Sequence, residues 1–77
     1  MNNLPFVSVI VTNYNGKRFL DRCFRSLYKI NYPRELYEVI MVDNGSTDGS
    51  VEFVEKNFPW VKIIRLDQNF GFTGGNN

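Results

Sequence analysis

Phe6 to Thr12 reads FVSVIVT, apolar at nearly every position and rich in β-branched side chains, and it breaks at the polar cluster Asn13-Tyr14-Asn15-Gly16. A short run of this kind predicts a strand buried on both faces. The period then changes. Phe19, Leu20, Cys23, Phe24, Leu27 and Tyr28 recur every three or four residues, and Lys17, Arg18, Asp21, Arg25 and Lys29 fill the opposite side. That spacing predicts an amphipathic helix. It starts at Asn15 or Gly16 and ends before Pro33, because a proline disfavours helical backbone in the residue before it. Tyr37 to Asp43 (YEVIMVD) repeats the buried-strand pattern and stops at the turn formers Asn44-Gly45-Ser46-Thr47-Asp48-Gly49. Asp48 or Ser46 can cap a second helix with Val51, Val54 and Phe58 on one face, Glu52, Glu55 and Lys56 outward, and Pro59 closing it. Val61 to Leu66 (VKIIRL) predicts a third strand, mixed enough in polarity to suit a place nearer a sheet edge. A tail rich in Gly and Asn runs from Asp67 to Asn77.

The two Asn-Gly pairs could each turn a hairpin, but helical periodicity follows both of them, where a hairpin needs a strand. Strand, helix, strand, helix, strand instead predicts an α/β fold with three parallel strands alternating with two helices, a Rossmann-like half-sheet. Right-handed crossovers place both helices on one face. The other face is then expected to be bare, and the first strand to lack an outer neighbour, because a doubly wound domain covers both with later elements. Residues 1–77 are therefore expected to form a single partial domain.

Composition narrows the function. A hydrophobic fraction of 43% with seven Phe, four Tyr and one Trp belongs to a chain with a core. Nine Lys and Arg against eight Asp and Glu leave a net charge of +1, which offers no long-range field for nucleic acid or an anionic membrane. Any phosphate would be bound locally. The lone Cys23 excludes an internal disulfide and suits a small buried side chain. Asn44-Gly45-Ser46 matches the N-glycosylation triplet, a pattern common by chance.

In open parallel sheets ligands bind at the carboxyl ends of the strands. That rule selects three loops: Thr12 to Gly16, Asp43 to Gly49, and Asp67 to Asn77. The first holds only Gly16 where a dinucleotide fingerprint needs three spaced glycines, and Gly16-Lys17 is followed by Arg18 where a P-loop needs Ser or Thr. Tyr14 offers a ring that can stack on a base, and Asp43 a carboxylate that can accept from a ribose hydroxyl or a base N–H. Together they suit a pyrimidine nucleoside. Each has a plainer alternative: Tyr14 packing over the helix start, Asp43 accepting backbone N–H groups within its own turn.

VSVIVTNYNG at Val7 to Gly16, VIMVDNGSTDGS at Val39 to Ser50 and NFGFTGGNN at Asn69 to Asn77 strongly resemble the opening of glycosyltransferase family 2, inverting enzymes of GT-A fold that use nucleotide-sugar donors. The resemblance covers nearly the whole chain in the family's order and spacing. It implies that Thr12, Tyr14 and Asn15 line the donor nucleoside, that Asp43 binds base or ribose, and that Asn69 and Gly74, with Gly71, Gly75 and Asn76, form the loop leading into the next helix beside the donor. Many members carry a second acidic residue where this chain has Asn44, as the branch resembling rhamnosyltransferases often does. Ser46, Thr47 and Asp48 match the family's turn and helix cap.

The family's Asp-x-Asp metal motif and its general base lie on later strands, and neither occurs in this sequence. The resemblance therefore implies no catalytic residue and no metal ligand here. It implies a truncated product of a longer enzyme in polysaccharide biosynthesis, with Mg or Mn expected only in the complete protein. The donor would be a UDP- or dTDP-sugar, the acceptor a glycan or lipid-linked sugar. The expected location is cytoplasmic, with the parent peripheral at the inner membrane face. The rival from another class is a non-catalytic, self-associating interaction or regulatory module that uses the exposed sheet face or edge. A pyrophosphorylase of related fold is disfavoured because its glycine- and arginine-rich first loop is absent.

Overall fold

The computed structural model describes residues 3–66. Its elements run β1 (Val7–Asn13), α1 (Lys17–Tyr28), a 3-10 turn (Arg34–Leu36), β2 (Tyr37–Asp43), α2 (Ser50–Asn57) and β3 (Lys62–Arg65). The three strands form one parallel sheet in the order β1-β2-β3. The chain is thus the expected α/β half-sheet, and β3 lies at an edge of it. β1 begins one residue later than the apolar run suggests and takes in Asn13, which pairs in register with Asp43 at the end of β2. The 3-10 turn is an addition that hydrophobic periodicity does not signal.

Alternation along the strands decides which residues make the core. Val39 and Met41 of β2 are buried beneath Leu20 and Phe24 of α1 and Val51 and Val54 of α2, with Val9, Val11 and Ile63 packed against them. Phe58 and Val61 close the end of this layer, where the Phe24 and Phe58 rings lie 5.5 Å apart and Trp60 meets both edge-on. All of these side chains lie on the helix side of the sheet. The opposite face carries Ser8, Ile10 and Thr12, then Glu38, Ile40 and Val42, then Lys62 and Ile64. This is the face that one-sided crossovers are expected to leave bare, so the reading of β1 as buried on both faces fails: Ile10 is 54% exposed, with Ile64 of β3 at 48% beside it, because no described element packs over them. At one end of this face polar groups replace the aliphatic ones. Glu38 accepts from Ser8 Oγ and from Lys62 Nζ, each at 2.7 Å, and these bonds hold its carboxyl below the usual range.

The helix expectations fail in two places. Phe19 and Tyr28 share the apolar spacing of α1 yet are 64% and 46% exposed. A helix resting on a three-stranded sheet buries a narrow stripe, which Leu20, Phe24 and Leu27 fill, and residues at its margins stay in water.

If the helix side is the core, truncating it should unfold the chain while the other face tolerates change. Phe24→Ala is expected to cost about 3–5 kcal/mol, most of the stability of a domain this size. Ile10→Ser should cost less than about 1 kcal/mol. Urea titrations followed by circular dichroism check the pair, and equal costs would contradict the assignment.

Candidate functional site

The carboxyl ends of β1 and β2 sit side by side, and the two loops that leave them are joined through one buried acid. Asp43 is 1% exposed. Its Oδ1 accepts from Asn13 Nδ2 at 2.8 Å and from Ser46 Oγ at 2.7 Å. Its Oδ2 accepts from the Ser46 backbone N–H at 2.9 Å. Burial alone would push the carboxyl up, but these bonds, with one from the Gly45 backbone, outweigh it and hold the group ionised below its ordinary range.

Ser46 spends its whole hydroxyl here. While donating to Asp43, its Oγ accepts from Asn13 Nδ2 at 3.1 Å and from the Asn15 backbone N–H at 2.8 Å. Asn15, held at φ 53, returns the link by accepting the Thr47 N–H on its Oδ1 at 2.8 Å. The backbones join directly as well, with Asn44 N–H donating to the Asn13 carbonyl at 2.9 Å.

Asn13 completes the rim. Its Oδ1 accepts the Gly16 N–H at 3.2 Å. A Cβ on Gly16 would stand 2.7 Å from that oxygen, so the close approach requires glycine. One step further out, Asp48 serves both helices. Its Oδ2 accepts the Lys17 N–H at the start of α1 at 3.0 Å, and its Oδ1 accepts the Ser50 N–H at 3.0 Å and the Ser50 hydroxyl at the start of α2. The Ser50 hydroxyl bond is the leading cause of its lowered pKa. Neither capping candidate is the N-cap: Gly49 holds that position at φ +84 without a side-chain cap bond, and Asp48, the residue before it, reaches only the first N–H of α2 at Ser50. Ser46 belongs to the Asp43 network.

Of the site residues expected from sequence, Tyr14, Asn15 and Asp43 come together at this rim. Tyr14 is 57% exposed as a residue, against the alternative in which it packs away over α1. Thr12 is exposed on the bare face, on the far side of β1 from Asn13. Asn69 and Gly74 lie outside the described residues. The residue that sequence reasoning passed over is Asn13, buried between the two loops. Its signal was the alternation of β1: an amide on the inward side after Val9 and Val11 needs a buried partner. Beside the rim, Asn15, Lys17, Arg18, Phe19, Asp21, Asp48 and Phe53 line an open groove of about 540 Å³. No three His, Cys, Asp or Glu side chains gather to hold a metal among the described residues.

A parallel α/β sheet with its strand-end loops tied into a fixed rim is of the class that binds nucleotides there. Residues 8–77 match the pattern described as Glycosyl transferase family 2, and the chain belongs to that family. It is 42% identical over 55 residues to the glycosyltransferase AglE of Haloferax volcanii, covering 71% of this chain and 18% of that protein. The mannosyltransferase PcManGT from Pyrobaculum calidifontis, solved with GDP-Man and Mn2+, superimposes with a TM-score of 0.77 at 30% identity, covering 88% of this chain and 21% of that one. TarS of Staphylococcus aureus, solved with UDP-GlcNAc, gives 0.72 at 37% identity over 82% of this chain and 19% of that one. The fold is accordingly part of a GT-A domain, and the chain spans about a fifth of the length of each of these chains. The comparisons reach the family and not the rhamnosyltransferase-like branch expected from Asn44.

The rim makes stability depend on pH with a definite sign. Asp43 is held below its unfolded value of about 3.9, so its contribution is present above that pH and is lost as pH falls through the lower folded value. Asn13→Asp should reverse the slope. A second carboxylate at the position of an amide now 2.8 Å from Asp43 forces one of the two to hold a proton. That variant should gain stability on acidification and lose it as pH rises past about 5. Thermal melts of both chains between acid and neutral pH check this, and parallel slopes would contradict it.

Proposed function

We propose that this chain supplies the donor-nucleotide side of a family 2 glycosyltransferase that takes a UDP- or dTDP-sugar. In the reaction an acceptor hydroxyl displaces the nucleoside diphosphate at the anomeric carbon with inversion. The observation that carries the reading is the rim itself: two strand-end loops fixed by Asp43, Asn13 and Ser46, with the Tyr14 ring left open beside them. Support for a uridine donor comes from the UDP-GlcNAc complex of TarS.

In this reading Tyr14 stacks on the base, Thr12 and Asn15 border the nucleoside, and Asn69 and Gly74 approach it from the third loop. Asp43 has its acceptor positions occupied within the chain. It meets a base or ribose donor only by exchanging one of these bonds, and the rotatable hydroxyl of Ser46 is the partner that can yield. The carboxylates at the rim, Asp43 and Asp48, are engaged with N–H and O–H donors, an arrangement that does not fit metal ligation. The divalent cation, the general base and the acceptor site, for a glycan or lipid-linked sugar, belong in this proposal to residues other than those described. The chain alone would bind donor without transferring sugar.

Calorimetric titration tests the site. UDP and dTDP should bind, and Tyr14→Ala should weaken both about tenfold or more, as loss of a base–aromatic stack does. No response to either nucleotide from a folded chain would sink the donor reading. Binding of GDP in place of both would keep the site and overturn the pyrimidine assignment.

A second reading, self-association, rests on a different observation: the aliphatic strip of Ile10, Ile40, Val42 and Ile64 beside the outer edge of β1. Light scattering should show dimers or larger species that Ile10→Lys disperses. A stable monomer of the unmodified chain would remove this reading and leave the donor site untouched.

A further inference from the structure

The net charge of +1 conceals a sharp segregation. From the start of α1 through the 3-10 turn stand Lys17, Arg18, Arg22, Arg25, Lys29 and Arg34, against Asp21 and Glu35. Arg18, Arg22, Arg25 and Lys29 follow one another at four, three and four residues, the spacing that keeps side chains on one face of a helix. All four are exposed, on the side of α1 turned away from Leu20 and Phe24. The row is about 16 Å long. Asp21 is matched to Arg25 by an ion pair at 2.9 Å, so the row as a whole stays strongly positive. Phe19 and Tyr28, the two aromatic residues of α1 that the core leaves exposed, flank it on opposite sides.

We propose that this outer face of α1 docks the protein on an anionic lipid surface. A straight row of cations meets a flat plane along its whole length, and lipid headgroups can diffuse sideways to match its spacing. Phe19 can sink into the headgroup layer, an apolar contact that a membrane accepts, while the Tyr28 ring, between Trp60 and the Arg34 guanidinium, keeps a further cation at the end of the row. No described helix is long and apolar enough to cross a membrane, so the contact lies on the surface. The charges that oppose it are Glu35, exposed beside Arg34, and Glu52 and Glu55, exposed on the neighbouring α2, where Lys56 partly offsets them. Duplex nucleic acid is the weaker match, because its bases are stacked inside it, and a single strand, whose bases can stack on an exposed ring, is the rival that the test separates. The face meets the groove beside the rim at Arg18 and Phe19, but it shares neither Tyr14 nor Asp43 with the donor reading.

Vesicle flotation of the full chain tests it, with vesicles of phosphatidylcholine alone or mixed with phosphatidylglycerol. The chain should partition onto the anionic vesicles only and be released by high salt. Each basic side chain near such a surface strengthens binding about fivefold, so R18Q/R22Q/K29Q should lose about a hundredfold, while Gln preserves helix propensity. E52Q/E55Q, which leaves the row intact, should bind more tightly than the unmodified chain. Equal partition onto both vesicle types, an unchanged triple variant or no gain in E52Q/E55Q would overturn the proposal. So would a single-stranded RNA that binds more tightly than the anionic vesicles and loses affinity in the same variant, which would assign the face to nucleic acid.

Discussion

Asp43 carries a charge into a place that water barely reaches, where an unpartnered carboxylate would cost several kcal/mol. The loop end of the sheet is arranged around that need. Asn13 comes from one strand, Ser46 and Gly45 from the turn after the other, and each contributes a donor that would otherwise hydrogen-bond to solvent. Because Ser46 also takes the Asn15 N–H and Asn15 takes the Thr47 N–H, satisfying one buried charge fixes the shape of both loops. Gly16 and Gly49 follow from the same geometry, the first by a close approach to Asn13 and the second by its positive φ.

This changes the meaning of an acidic residue at a strand end. Its position beside a candidate ligand invites a direct role, yet its carboxylate is committed to the protein's own donors. What the rim presents outward is Tyr14, Asn15 and the backbone that Asp43 holds in place. A rim preorganised in this way loses little conformational freedom when a ligand arrives.

The rest of the molecule divides into surfaces of different character. The helix side of the sheet is packed, the opposite side shows aliphatic residues to solvent, and the outer face of α1 carries four of the nine basic side chains. Averages hide all three. A net charge near zero correctly excludes a long-range field from the chain as a whole, but it says nothing about a row of cations on one helix.

The order of elements, their approximate bounds and the parallel α/β class were legible in the sequence, because short apolar runs and a three-to-four-residue period are local signals that burial of one face imposes. YEVIMVD is a strand from its first residue to its last for this reason. The three strand-end motifs also sufficed to show the family resemblance. What the sequence left open needed residues far apart in the chain to be brought together. Apolar runs taken alone suggested strands covered on both sides, one-sided crossovers suggested a bare face, and the packing decided between them by leaving Ile10 and Ile64 in solvent. Spacing put Phe19 and Tyr28 with the core, and the width of the helix contact excluded them. Asn13 looked like one more turn residue until the register set it opposite Asp43, thirty residues away. A strand's alternation tells which way a side chain points, but the identity of its partner depends on the neighbouring strand, and that is a property of the tertiary structure.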